Sequence, residues 1–237
     1  MLVAAAVCPC PPLLVPEVAA GAAPEMDAAR VACTDALGVL AAARPDLLVV
    51  VGPAGQSGCG SFPQGTPGSF RGFGVAVDVH LGPAADTVYE GELPPSLAVG
   101  AWLLERTGWA DAPIEGLGVG ERLAPERCTE AGREIAAKAG RVALLVMGDA
   151  SACRTVKAPG YLDERAAPFD AEVARALGTA DVAAVQALDA GLAHELKASG
   201  RAPWQLLAGA AEGANLSGAL LYEDAPYGVG YVVATWS

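Results

Sequence analysis

The sequence predicts an α/β fold, a single domain over residues 1–237 with a mostly parallel central sheet flanked by helices. Three observations lead there. Strongly apolar runs at 2–7, 46–52 and 141–147 read as strands buried on both faces. Segments with helical spacing separate them. The chain of 237 residues, 53% hydrophobic and 18% charged, is long and apolar enough for a sizeable core and is neither disordered nor fibrous.

The elements follow in order. Leu2–Val7 is a buried strand ended by the prolines of Cys8-Pro9-Cys10-Pro11-Pro12. Residues 24–43 read as a helix anchored by Met26, Val31, Leu37 and Leu40. The second strand covers 46–52 and opens into a Gly-, Ser- and Pro-rich loop to about Arg71. Alternation over 73–81 predicts a strand with one wet face. A helix over 96–107, a strand over 114–119 and a helix over 125–139 with Pro125 at its start come next. The third apolar strand, 141–147, leads into a long loop over 148–168, a length often tied to function. Helical stretches at 170–177, 182–197 and 204–211 precede two closing strands, 216–223 and 229–234.

Charge and composition narrow the function. Net charge is −12, with pI near 4.5, which disfavours a nucleic-acid-binding surface. The opening apolar run is far shorter than the ~20 residues a membrane span needs, and it lacks the positive start of a signal peptide. The expectation is a cytoplasmic protein with no membrane partner. Its six cysteines are then expected as reduced thiols. There are only two histidines, His80 and His194, expected on a strand and a helix in surface or core roles.

Ligands in such sheets bind beyond the carboxyl ends of the strands. Three loops leave the most apolar strands: Cys8–Pro12, Gly52–Gly55 and Gly148–Arg154. With the strands as parallel neighbours, these loops converge on one cleft.

Four segments in and around these loops carry a resemblance. Cys10-Pro11-Pro12-Leu13-Leu14-Val15-Pro16-Glu17 is similar to a motif that begins His-Pro-Pro and ends Pro-Glu. Val51-Gly52-Pro53-Ala54-Gly55 is similar to a strand ending in Ser-Pro-His-Gly. Gly148-Asp149-Ala150-Ser151-Ala152 is similar to Gly-Asp-x-Ser-His, and Ser199-Gly200-Arg201-Ala202-Pro203 to Cys-Gly-Arg-x-Pro. In this order, over nearly the whole chain, they resemble the class III extradiol dioxygenases, meaning the fold of the protocatechuate 4,5-dioxygenase β-subunit and its Memo-like relatives.

The resemblance implies a non-haem Fe(II) held by two histidines and a carboxylate, open positions for catechol and dioxygen, and a further histidine as acid/base. Matched by motif, the first ligand position is Cys10, the second Ala54, the acid/base position Ala152, and the remaining ligand position falls near Ser199. None keeps the family residue. Alanine has no lone pair, and a thiolate with a hydroxyl suits zinc or Cu(I) better than Fe(II). Fe(II) is therefore not expected here, while zinc or copper held through cysteine stays open: Cys10 leads, with Cys8, Cys59 and Cys153 as weaker candidates. On an extended strand Cys8 and Cys10 share a face.

Asp149 is the polar position of the motif that survives, lining the pocket or capping the following turn. Arg154 and Arg201 either bind a carboxylate or phosphate in the cleft or pair with the many acids. The glycine-rich stretch 52–60 lacks the Lys-Ser/Thr of a phosphate-binding loop and the spacing of a dinucleotide fingerprint, and reads as a flexible rim. The pocket candidates are thus Cys10, Ala54, Asp149, Ala152, Ser199 and Arg201. The functional expectation is a dioxygenase-fold protein with a degenerate iron site that binds a small molecule or a protein partner without ring cleavage. The alternative is an oxidoreductase or metalloprotein using a cysteine-containing metal site. The family resemblance also implies a homodimer.

Overall fold

The computed structural model describes residues 1–83 and 91–237 and is built on one seven-stranded sheet. The first half of the chain runs β1 (Leu2–Cys8), α1 (Pro16–Ala19), α2 (Asp27–Ala42), β2 (Leu47–Ala54), β3 (Gly60–Phe62), β4 (Pro67–Ser69), β5 (Asp78–His80), α3 (Pro95–Thr107) and β6 (Ile114–Gly120). The second half runs α4 (Pro125–Ala136), β7 (Val142–Met147), α5 (Ala166–Gly178), α6 (Val182–Gln186), α7 (Ala190–Glu195), α8 (Arg201–Ala210), β8 (Gly218–Asp224) and β9 (Tyr231–Trp236).

The strand order is β3-β6-β2-β7-β1-β9-β8. The four central strands β6, β2, β7 and β1 run parallel, and β3, β9 and β8 join antiparallel at the two sides. β4 and β5 form a separate two-stranded ribbon.

Both faces are covered, which explains the near-continuous apolar runs. Alternate residues of each strand feed opposite layers. Ala5, Val7, Val49, Val51, Leu144 and Val146 point to the layer of α4 to α8. Ala4, Ala6, Cys8, Leu48, Val50, Leu145 and Met147 point to the layer of α2 and α3. β7 is buried at all six positions because it lies at the centre of the sheet and touches both layers.

Local chemistry moves several boundaries from those the sequence suggests. The helix expected from Pro24 begins at Asp27, after a 3-10 stretch over Ala20–Met26 that contains the proline. The strand expected over 73–81 shrinks to Asp78–His80, because Gly74 takes a left-handed φ of 85° and turns the chain first. The helix expected over 182–197 is two helices. Asp189 starts the second, its carboxylate accepting the Leu192 N–H at 2.8 Å. No helix among the described residues is long and apolar enough to cross a membrane.

Candidate functional site

Because β2, β7 and β1 are parallel neighbours, their carboxyl ends open on one edge, and the three loops named above leave it together. Hydrogen bonds then lock the first and third of these loops together. The Gly148 N–H donates to the Cys8 carbonyl at 3.0 Å. Just beyond, the Cys10 N–H donates to Asp149 Oδ1 at 2.8 Å. Asp149 in turn donates its own N–H to Ser199 Oγ at 3.2 Å, and its carbonyl accepts the Gly200 N–H at 2.9 Å. Cys10, Asp149 and Ser199, which lie far apart in the chain, therefore form one bracket.

The bracket depends on glycine. A Cβ on Gly148 would sit 2.4 Å from the Gly200 Cα, and a Cβ on Gly200 would sit 2.2 Å from the Trp204 ring. The loop after β7 and the start of α8 approach this closely only without side chains. Trp204, fully buried in α8, leaves its indole N–H without a partner among the described residues.

A fourth element joins from β9. The Ala150 N–H donates to the Gly230 carbonyl and the Gly230 N–H to the Ser151 carbonyl, both at 2.8 Å. That places Tyr231 on the same core layer as Cys8 and Cys10. Tyr231 is 2% exposed, and its acidity is suppressed first by burial and then by the Asp149 carboxylate. Its hydroxyl has no hydrogen-bond partner among the described residues, yet the atom is not sealed from solvent.

The electrostatics of the bracket are acidic. Burial pushes the Asp149 carboxyl up to about 7, against the opposing pull of its bonds from the Cys10 backbone and thiol. Burial also pushes the Cys10 thiol well up, and the carboxylates of Asp149 and Glu121 add to this. The Cys10 sulfur is therefore held as a neutral thiol, a poor nucleophile.

The other sequence candidates are placed as follows. Ala54 closes β2 opposite Gly120, buried under the Gly58 turn. Ala152 is also buried, its N–H donating to the Leu196 carbonyl and its carbonyl accepting the Gly160 N–H. Both present only methyl groups. Arg201 does not reach the cleft: it is buried, with its guanidinium donating to the carbonyls of Glu121 and Leu123 and to Gln205 Oε1. Arg154 bonds Asp170 at 3.0 Å, and Asp170 also accepts the Ser151 N–H and hydroxyl at 2.8 Å each. Arg201 is thus consumed inside the protein, and Arg154, whose side chain is 31% exposed, is tied to Asp170.

The cysteines separate. Cys8 and Cys10 do share a layer, and the free thiol whose nearness, with burial, raises the Cys8 thiol is that of Cys33 of α2, a residue that sequence pattern alone does not single out. Cys153 belongs to the opposite layer, its thiol on the Leu196 carbonyl. Cys59 is exposed and bonds the Gly55 carbonyl at 3.4 Å. No three His, Cys, Asp or Glu side chains among the described residues are grouped to hold a metal ion. His80 lies on the ribbon strand β5, and His194 is paired with Arg122 on the exposed side of α7.

Sequence reasoning misses Tyr231 and Glu121. Tyr231 carries a weak signal, an aromatic two residues before Val233 with the same inward face, but its partner strand β1 opens the chain. Glu121 follows an ordinary strand and is one of many acids.

Comparison with known proteins gives the fold and no more. No family model and no curated protein matches the chain. Among solved structures, the chain is similar to the uncharacterized protein JW3007 from Escherichia coli K12, with a TM-score of 0.53 and 16% identity. The match covers 99% of this chain and 100% of that one, so the likeness extends over the whole α/β architecture.

Proposed function

We propose that this chain is a dioxygenase-fold protein with a degenerate non-haem-iron site, which binds a small molecule at the carboxyl edge of its parallel strands without cleaving a ring. The observation that carries this reading is the bracket of Cys10, Asp149 and Ser199. It draws together three of the four segments on which the dioxygenase resemblance rests. Binding loops are kept in register there, while the positions matched to a ligand and to the acid/base histidine, Ala54 and Ala152, carry methyl groups. A methyl group neither coordinates iron nor moves a proton. The edge thus retains the means to position a guest and lacks the groups for the oxidative step.

The test loads the purified protein with Fe(II) under anaerobic conditions, adds a panel of catechols, and then admits oxygen. Saturable binding followed by ligand-detected NMR, with no yellow ring-fission product above a no-protein control, is the expected result. Ring fission at sustained turnover overturns the degenerate reading. Zinc or copper that co-purifies stoichiometrically and is lost in Cys10→Ser favours a cysteine-held metal instead.

A further inference from the structure

We propose that the bracket at the carboxyl edge is a recognition site for a protonated primary amine, with Asp149 and the Tyr231 hydroxyl as the groups that receive it. This deepens the small-molecule reading above and rests on it. The charges are one-sided. Asp149 and Glu121 both act on Cys10, and among the described residues no lysine or arginine contributes to the environment of Cys10, Asp149 or Tyr231. The two guanidinium groups nearest in the chain, Arg154 and Arg201, are already bonded to Asp170 and to backbone carbonyls.

Two acceptors have capacity to spare. Asp149 spends Oδ1 on the Cys10 N–H, and no nitrogen among the described residues donates to its second oxygen. Its other bond comes from the Cys10 thiol, a weak donor. The Tyr231 side chain is almost wholly buried, yet its hydroxyl finds no partner among the described residues. The hydroxyl keeps contact with solvent, so it is open to a donor from a bound ligand. An ammonium group carries three donors and one positive charge, which match a carboxylate with a spare oxygen and a hydroxyl acceptor. A carboxylate or phosphate ligand meets like charge here. No three ligating side chains among the described residues are grouped to hold a metal ion.

The experiment compares primary amines, alcohols and carboxylates on identical carbon skeletons, from butyl to phenylethyl, by ligand-detected NMR at pH 8. Amines are expected to bind at least tenfold more tightly than the matched alcohols, and carboxylates not at all. Asp149→Asn should erase the amine preference, and Tyr231→Phe should weaken amine binding three- to tenfold. If alcohols or carboxylates lead, the amine inference fails while the small-molecule site stands. If no class binds, the small-molecule reading itself fails. Should Asp149→Asn not fold, the Tyr231→Phe variant and the ranking in wild-type protein still decide: amine affinity unchanged in Tyr231→Phe overturns the placement.

Discussion

The backbone N–H of Cys10 donates to Asp149 Oδ1 across 2.8 Å, joining the loop after β1 to the loop after β7. Asp149 is thus both a structural clamp and an acid held in poor solvent. The two roles oppose each other, because the hydrogen bond favours the carboxylate and burial favours the neutral acid, and burial prevails.

That balance makes stability depend on pH with a definite sign. The Asp149 carboxyl is raised from 3.8 to about 7 in the folded chain, so its contribution is fully present below about pH 4 and is lost as pH rises through about 7. Each tenfold change in the ionisation constant is worth ~1.4 kcal/mol, and partial solvent contact at Asp149 reduces the total to the order of 2 kcal/mol. Urea unfolding of wild type and Asp149→Asn at pH 4.5 and pH 8 measures it. The asparagine keeps an acceptor for Cys10 and should gain on wild type at the higher pH; equal pH slopes in the two proteins would contradict the assignment.

Gly200→Ala tests the close approach beneath the bracket. The new methyl would lie 2.2 Å from the Trp204 ring, which is itself fully buried and has nowhere to retreat. Overpacking of this kind costs about 1–3 kcal/mol. A thermal melt should show the loss, and the indole fluorescence of the folded variant should change as the ring moves.

Arg201→Met removes the guanidinium that gathers the carbonyls of Glu121 and Leu123. Leaving those carbonyls and Gln205 short of a donor should cost about 2–4 kcal/mol. Arg201→Lys should recover little, since a single ammonium cannot span the same partners. Amide exchange of residues 121–124 should accelerate in both variants, and an unchanged exchange rate there would rule out the clamp.

Refilling the site tests the convergence of the loops. Cys10→His, Ala54→His and Ser199→Glu together supply two imidazoles and a carboxylate, a set suited to Fe(II) with open positions. The triple variant should bind Fe(II) at least tenfold more tightly than wild type, read by a competing chelator, while staying folded. A folded variant with unchanged iron affinity would show that these positions do not face one point.

Much of the fold is legible from local pattern. The runs at β1, β2 and β7 are apolar because both faces of those strands are covered, and such runs need no distant information to recognise. Asp149 is legible as the surviving polar position of its motif. Arg201 is misleading as a pocket candidate, because an arginine is equally able to bind a ligand or to satisfy backbone carbonyls, and only its surroundings choose. The expected gathering of cysteines meets the same difficulty. Cys8 and Cys10 share a face by alternation, but Cys153 leaves β7 into a loop whose turn takes it to the other side of the sheet.

The sequence by itself determined the α/β class, the positions of the main strands and the loops that leave their carboxyl ends. It also determined the absence of imidazole at positions 10, 54, 152 and 199, since side-chain identity needs no fold. Only the tertiary structure decided that β9 lies antiparallel beside β1 and so brings Tyr231 to Cys10 and Asp149. The physical reason is range. Strand and helix periodicity arise from neighbours a few residues apart. Which strands pair, which charges face one another and which hydroxyl is left without a partner depend on contacts between segments more than a hundred residues apart, settled when both faces of the sheet are covered at once.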